Sequence, residues 1–143
     1  MQDFKVIAII GSRRRTSNAD FEKLKDVFFS IYKDGDRIVS GGCPKGADRF
    51  AEIIAKTYQI PIMIHYANWN KLGKRAGFIR NTDIAEDADI IIAVVAEDRL
   101  GGTEDTIKKA QNMGKEIVLI EIDPSQPTQQ ISVEDFDPLK EEA

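Results

Sequence analysis

The chain has 143 residues, of which 42% are hydrophobic and 31% are charged, with ten glycines and five prolines. This composition is that of one ordinary globular domain, and it excludes a disordered, collagenous or membrane-spanning chain. The net charge of −4 provides no general attraction for a polyphosphate backbone, so we do not expect binding to nucleic acid.

The cysteine content and the N-terminal region bear on the cellular location. A single cysteine, Cys43, excludes an internal disulfide and a cysteine-based metal site, which suits a reducing compartment. No metal and no other cofactor is therefore expected. The first apolar run, Lys5–Ile10, is far too short for a signal peptide or a membrane span. These features predict a cytoplasmic protein without membrane association.

Strand-like and helix-like segments alternate along the chain. Five short apolar runs rich in β-branched residues are typical of strands covered on both faces. These runs are Lys5–Ile10, Arg37–Ser40, Pro61–Tyr66, Asp89–Val95 and Glu116–Ile122. Apolar residues recur at helical spacing over Ala19–Tyr32, Ala47–Tyr58, Ala76–Ala88 and Thr103–Met113. The alternation predicts an α/β fold, a single-domain three-layer sandwich around a mostly parallel sheet of about five strands.

The C-terminal region differs from the rest of the chain. Periodicity is lost through Pro124–Gln130, and the sequence ends in the acidic stretch Glu134–Glu142. We therefore divide the chain into a ligand-binding domain, residues 1–122, and an acidic tail, residues 123–143. Such a tail is expected to be mobile or to lie on the surface.

The candidate site lies where the strands end, because doubly wound sheets bind ligands outside the carboxyl ends of their strands. Three of these segments combine glycine with polar residues, and two lead directly into a helix that offers backbone N–H groups to an anion. The candidates are Gly11, Ser12, Arg13, Gly41, Gly42, Gly46, Asp48, Gly101, Gly102 and Thr103. Asp48 has two interpretations, since it can accept a ribose hydroxyl or cap the helix that begins beside it.

The glycine spacing excludes two common nucleotide-binding loops. Gly11 is the only glycine in the first strand-to-helix turn, so the dinucleotide fingerprint G-x-G-x-x-G is missing. The stretch Gly42–Gly46 is not followed by the Lys-Ser/Thr pair of a Walker A loop. A tight turn explains any single glycine pair, but recurrence after separate strands favours a phosphate site.

A segment after the third strand places one indole among cationic and amide side chains. Its candidate residues are Trp69, Lys74, Arg80 and Asn81. Trp69 can stack on a base or form a hydrophobic lid over the next helix. Arg80 can bind a phosphate through two hydrogen bonds or belong to a solvated helix face.

Three further features have simpler explanations. The basic run Arg13–Arg15 is either a solvated loop or part of a phosphate site. His65, in the third predicted strand, is more typical of a core or edge histidine than of a catalytic base. Cys43 has no histidine near it in sequence, which makes a nucleophilic role improbable.

Together these motifs resemble the SLOG superfamily, which includes the cytokinin-activating LOG enzymes and the DprA-like proteins, and within it the YspA/YpsA-related branch. The matching motifs are Gly11-Ser12-Arg13, Gly41-Gly42, Gly46-Ala47-Asp48, Trp69, Gly73-Lys74, Ala76-Gly77, Arg80-Asn81 and Gly102-Thr103. They cover the chain up to about Ile122. The resemblance implies a Rossmann-like fold that recognises a nucleotide or a nucleotide-derived ligand. It also implies that helices pair to form a homodimer.

The resemblance leaves the reaction open. LOG enzymes cleave a nucleotide N-glycosidic bond, and their signature Gly-Gly-x-Gly-Thr-x-x-Glu supplies a catalytic glutamate, to which a helix adds an arginine. Gly102-Thr103 and Arg80 match that pattern, but the glutamate position falls on Thr106, which does not ionise at neutral pH. On a helical wheel the neighbouring Glu104 and Asp105 are turned about 200° and about 100° away from Thr106.

Two functions therefore follow as hypotheses. The first is the binding or sensing of a nucleotide-like, phosphate-bearing small molecule. The alternative is a nucleotide N-glycosidase or phosphoribohydrolase similar to the LOG enzymes. DNA binding by analogy with the DprA-like proteins is disfavoured by the acidic charge.

Overall fold

A computed structural model describes residues 4–122, which form a five-stranded sheet with helices on both faces. The strands are β1 Val6–Gly11, β2 Arg37–Ser40, β3 Ile62–Ile64, β4 Ile90–Val94 and β5 Glu116–Ile120. The helices are α1 Asn18–Ile31, α2 Ala47–Thr57, α3 Trp69–Leu72, α4 Arg75–Asp87 and α5 Gly102–Asn112. The predicted α/β sandwich is confirmed, and the short α3 is an addition to the predicted elements. The predicted acidic tail, residues 123–143, lies outside the described residues.

All neighbouring strands pair in parallel, in the order β3-β2-β1-β4-β5. The chain passes outward from β1 through β2 to β3 and then returns to the other side of β1 with β4. This reversal makes a Rossmann-like topology with a crevice outside the carboxyl ends of β1 and β4, where open α/β sheets bind ligands.

The strand side chains alternate between two cores. Ile7 and Ile9 of β1 face one core, which contains Phe28 of α1 and Phe50 of α2. The intervening side chains of β1 face the other core, which α4 and α5 complete. That second core is rich in small residues, namely Ala8, Ala85, Ala88, Ala93 and Ala110. Small side chains let α4 and α5 pack closely on the sheet, so the first turn of each helix is held at the carboxyl edge.

The prediction that the strands are covered on both faces is confirmed for the centre and wrong for the edges. Every residue of β4 is buried, whereas Met63 of β3 and Leu119 of β5 are exposed. The two end strands each have one neighbour, so the helices do not enclose them completely. Among residues 4–122, no helix has the length and apolar character needed to cross a membrane.

Candidate functional site

A cleft of about 850 Å³ lies at the carboxyl edge of the sheet, at the point where the strand order reverses. Every predicted site residue except Gly46 lines it. These residues are Gly11, Ser12, Arg13, Gly41, Gly42, Asp48, Trp69, Lys74, Arg80, Asn81, Gly101, Gly102 and Thr103. Residues from four separate loops therefore meet in one cavity.

Gly46 lies behind the cleft wall and has a packing role. It is the N-cap of α2, with φ of 75° and ψ of −150°, a conformation that L side chains rarely adopt. A Cβ atom there would lie 2.5 Å from the carbonyl oxygen of Ser12. Glycine thus lets the turn before α2 rest directly on the backbone of the loop after β1.

The loop between β2 and α2 is held by a cation and an anion that approach Gly41 together. Arg80 donates from Nη1 to the Gly41 carbonyl oxygen at 2.7 Å and from Nε to Asn81 Oδ1 at 3.0 Å. A Cβ atom on Gly41 would lie 2.9 Å from Arg80 Nη1 and 3.0 Å from Asp48 Oδ2. Part of the Arg80 guanidinium is therefore used by the protein, and three of its five N–H groups stay available to a ligand.

Asp48 is a buried carboxylate in the cleft wall, with 8% of its surface exposed. Its Oδ2 accepts the Cys43 N–H at 3.0 Å, and α2 has no side-chain hydrogen bond at its N-cap. The capping interpretation of Asp48 is therefore wrong, because the carboxylate organises the preceding loop instead. Burial raises the pKa of Asp48, and the Cys43 N–H and the charge of Arg80 oppose that rise.

The N-terminus of α5 opens on the cleft without a cap of its own. Its N-cap is Gly101, with φ of 120°, and no side chain caps it. Within residues 4–122, the amides of Gly102 and Thr103 have no hydrogen-bond partner. A Cβ atom at Gly101 or Gly102 would meet nothing within 4 Å. These amides and the positive end of the helix dipole are accessible to an anion.

The acidic residues in the first turn of α5 point away from the cleft. Both Glu104 carboxylate oxygens accept from Arg99, each at 2.9 Å. Asp105 accepts from Asn81 Nδ2 at 3.1 Å and from a lysine of its own helix at 2.7 Å. Thr106, in contrast, is 2% exposed and lines the cleft. The position that the resemblance aligns with the LOG glutamate is thus occupied by a cleft-lining residue that has no carboxylate.

Two exposed cations of the cleft have no hydrogen-bond or ion-pair partner among the described residues. Arg13 and Lys74 line the cavity, and neither makes a hydrogen bond or an ion pair with any residue in the 4–122 range. Their charges are therefore available to an anionic ligand without loss of an internal contact.

The three consecutive arginines have three different roles. Arg13 faces the cleft. Arg14 binds both carboxylate oxygens of Asp98, at 2.8 and 2.6 Å, which ties the loop after β1 to the loop after β4. This pairing lowers the pKa of Asp98 to about 2. Arg15 is buried and donates to the Ile120 carbonyl oxygen at 2.6 Å. The solvated-loop interpretation is wrong for Arg15.

Exposed aromatic side chains form the rim of the cleft. Trp69 is 56% exposed, and its ring lies against Gly77, where a Cβ atom would be 3.0 Å away. Tyr66 is 70% exposed, and its ring covers Gly42 in the same way. The Trp69 ring therefore lies on α4, as the lid interpretation expected, and also borders the cavity. Sequence reasoning missed Tyr66 as a site residue, although its place at the carboxyl end of the predicted strand Pro61–Tyr66 was a signal.

His65 and Cys43 have no catalytic arrangement. His65 lies just past β3, and its Nε2 is 2.5 Å from Asp87 Oδ2 at the end of α4, so it fastens β3 to that helix. Cys43 lines the cleft, but the only histidine of the chain is His65, whose ring is paired with Asp87. Among residues 4–122, no group of three or more histidine, cysteine or acidic side chains could hold a metal ion.

The chemistry of the cleft follows from these contacts. It combines an open helix N-terminus, two unpaired cations within the described chain, exposed aromatic rings and one buried carboxylate. No protein-family model, curated protein or solved structure matches the chain. The function must therefore be argued from the geometry of the cleft itself.

Proposed function

We propose that this protein binds or senses a nucleotide-like small molecule that carries a phosphate. The observation that carries the proposal is the open N-terminus of α5, where Gly102 and Thr103 present amides without a partner in the described chain. Arg13 and Lys74 add positive charge to the same cleft. Backbone amides, a helix dipole and nearby cations together favour a phosphate group.

The rim of the cleft supports a nucleotide rather than a simple phosphate. The Tyr66 and Trp69 rings are exposed beside the cavity, although large aromatic surfaces are normally buried. Base stacking on such a ring contributes about 1–3 kcal/mol to nucleic-acid binding. A ligand with one planar base and one phosphate would use both parts of the site.

We also propose that the chain is a member of the SLOG superfamily. The support is that motifs separated by up to 90 residues, from Ser12 to Gly102, meet in one cleft at the switch point of the sheet. The homodimer and the cytoplasmic location stay predictions.

The alternative, an N-glycosidase, has weaker support. Glu104 and Asp105 are paired outside the cleft, and Thr106 in their place has no carboxylate to stabilise an oxocarbenium-like centre. We therefore expect purified protein to release no free base from nucleoside monophosphates at saturating concentration. Release well above the uncatalysed rate would support the hydrolase instead.

The direct test is a titration with nucleoside 5′-monophosphates and the matching nucleosides. Trp69 is the only tryptophan, so its fluorescence reports on the cleft, and calorimetry supplies the affinities. At a hundred times its dissociation constant, a monophosphate should stabilise the protein by about 2.7 kcal/mol. Nucleosides at the same concentration should do so much less. Equal effects of nucleoside and monophosphate would contradict the phosphate site.

Two variants and a control locate the phosphate. Arg13→Ala and Lys74→Ala should each weaken monophosphate binding about tenfold or more, since a charge-assisted hydrogen bond contributes roughly 1.5–3 kcal/mol. Neither change removes a hydrogen bond or an ion pair between described residues. Arg75→Ala is the matched control, because Arg75 is an exposed cation next to Lys74 that does not line the cleft. Equal loss in the control would indicate a general charge effect.

A further inference from the structure

The cleft contains one carboxylate that the phosphate site does not explain. Within residues 4–122, the carboxylates that line the cavity are Asp48 and Asp98. Asp98 is occupied by the two hydrogen bonds from Arg14. Asp48 makes no ion pair within the described chain and accepts the Cys43 N–H on Oδ2, while Ser40, Gly41 and the nearby charge of Arg80 also favour its ionised form. A carboxylate can accept about four hydrogen bonds, so Asp48 has acceptor capacity left for a ligand.

Keeping this carboxylate buried works against stability. A buried charge without a direct ion-pair partner destabilises the folded protein because it has lost its water. The charge of Arg80 offsets only part of this cost, since burial is the largest influence on the Asp48 carboxylate and its pKa is raised. The loop before α2 needs an acceptor for the Cys43 N–H, but a neutral amide oxygen at position 48 would serve equally well. The negative charge of Asp48 therefore calls for an explanation beyond the fold.

The charge of Asp48 restricts the part of a ligand that can approach it. A carboxylate repels a phosphate and attracts a hydrogen-bond donor. In a nucleotide, the sugar hydroxyls and some groups of the base are such donors. The phosphate must then lie elsewhere in the cleft, and the N-terminus of α5 offers that place.

The order of the strands indicates whether Asp48 lies beside the sugar or beside the base of a bound nucleotide. Along the carboxyl edge, Tyr66 follows β3, Asp48 lies in the helix that follows β2, and Gly101–Thr103 follow β4. Because the sheet order is β3-β2-β1-β4, an aromatic ring, the carboxylate and the open helix N-terminus succeed one another across the edge. A nucleotide has the same order of parts, with its sugar between the base and the phosphate.

We infer that Asp48 accepts a hydrogen bond from a sugar hydroxyl of the bound nucleotide, so that the site selects nucleotides that carry this hydroxyl over the matching 2′-deoxy or 3′-deoxy forms. This inference rests on the proposed function and makes it more specific. The Asp48 carboxylate contacts the sugar from the buried wall of the cleft, while the base binds at the exposed rim and the phosphate at the N-terminus of α5.

The experiment compares ribonucleoside 5′-monophosphates with their 2′-deoxy and 3′-deoxy counterparts on the full chain, by calorimetry and Trp69 fluorescence. Removal of the hydroxyl that contacts Asp48 should weaken binding about tenfold to a hundredfold, as expected for a hydrogen bond to a charged group. Equal binding of ribo and both deoxy forms would overturn the inference and leave the proposed function intact. No binding of any monophosphate would overturn both.

Asp48→Asn removes the charge while its amide oxygen can still accept the Cys43 N–H. We expect this variant to bind ribonucleotides more weakly and the deoxy forms about as before. The ratio of the deoxy to the ribo dissociation constant should then fall below about threefold. An unchanged ratio would overturn the inference. The inference would also be overturned if the ribo and deoxy forms bound equally and binding required an amino group on the base. That result would show that Asp48 contacts the base and not the sugar. Glu52→Gln, on the same helix and outside the cleft lining, is the control and should keep the wild-type ratio. If Asp48→Asn does not fold, the wild-type comparison of ribo and deoxy forms still decides.

Discussion

The two glycine-rich loops that lead into α2 and α5 differ in the space around their glycines. Before α2, a Cβ atom at Gly42 would lie 2.6 Å from the Tyr66 ring, and one at Gly46 would lie 2.5 Å from a backbone oxygen. Before α5, a Cβ atom at Gly101 or Gly102 would meet no atom within 4 Å. The first loop needs glycine for its own packing, whereas the second leaves its backbone open to a ligand.

The two helix starts differ in charge in a related way. The first turn of α2 places Asp48 in the cleft wall, so the positive end of that helix already has an anion. The acidic residues of α5 are turned outward into pairs with Arg99 and with Asn81 and Lys109, and its N-terminus faces the cavity. We conclude that α5 is the helix start suited to a phosphate, and that the two loops serve different parts of one ligand.

The largest effect is expected at the crowded loop. Gly46→Ala should reduce the free energy of unfolding by about 2–6 kcal/mol, the sum of a backbone conformation that costs about 1–3 kcal/mol and overpacking that costs about 1–3 kcal/mol. Urea unfolding monitored by circular dichroism measures it. A change below 1 kcal/mol would mean that the loop relaxes, and the contrast between the two loops would be lost.

The open loop should show the opposite behaviour. Gly102→Ala should change the free energy of unfolding by no more than about 0.5 kcal/mol, because its methyl group meets no neighbour. Monophosphate binding should nevertheless weaken about tenfold, because the added methyl group projects into the open space beside the α5 amides and would keep the phosphate from one charge-assisted hydrogen bond. Monophosphate affinities from calorimetry and unfolding free energies are compared for Gly46→Ala and Gly102→Ala. The comparison separates an effect on packing from an effect on binding. Unchanged affinity would remove α5 from the phosphate site.

A smaller effect concerns the pH dependence of stability at α2. Burial raises the pKa of Asp48 above its ordinary value of 3.8, so the folded protein holds this proton more tightly than the unfolded chain does. The contribution of Asp48 to stability is therefore lost as the pH rises from 3.8 through the raised pKa. Asp48→Asn should be more stable than wild type at pH 7, by about 0.5–2 kcal/mol as for other substitutions that trade function for stability.

The control for this prediction is to compare the stability of wild type and Asp48→Asn at low pH. Thermal melting of both proteins below pH 3.8 should give similar midpoints, because the wild-type carboxyl is then protonated in both states. A wild type that is more stable than Asp48→Asn at pH 7 would show that the carboxylate stabilises the loop, and the argument for a ligand role would weaken.

The smallest effect is expected at the exposed clasp between Arg14 and Asp98. The hydrogen bonds from Arg14 lower the pKa of Asp98 from 3.8 to about 2, so its contribution to stability is present above pH 3.8 and is lost as the pH falls to about 2. Asp98→Asn should lower the melting temperature slightly at pH 7, and less at high salt, because exposed ion pairs are screened. A large loss would show that the clasp also fixes the loop before α5.

Local sequence patterns were sufficient for the elements themselves. The β-branched runs and the helical spacing predicted all five strands and four of the five helices found in residues 4–122, with ends that differ by a few residues at most. These signals are local because alternation and helical period arise from neighbouring residues. The short α3, Trp69–Leu72, has too few residues to show a period, and the burial of each strand depends on its place in the sheet.

The arrangement of the site depended on contacts that no local pattern contains. Arg13, Arg14 and Arg15 are identical in type and adjacent in sequence, yet Arg15 is buried because its guanidinium reaches the Ile120 carbonyl, 105 residues away. Likewise, the sequence has glycines before both helices and does not distinguish the two loops. The crowding at Gly42 is visible only in the structure, because it comes from the ring of Tyr66. The sequence by itself determined which residues reach the carboxyl edge, because the alternation makes the strands parallel and the carboxyl ends of parallel strands meet at one edge. Only the tertiary structure decided which of them stay available to a ligand, because that depends on partners brought together by the fold.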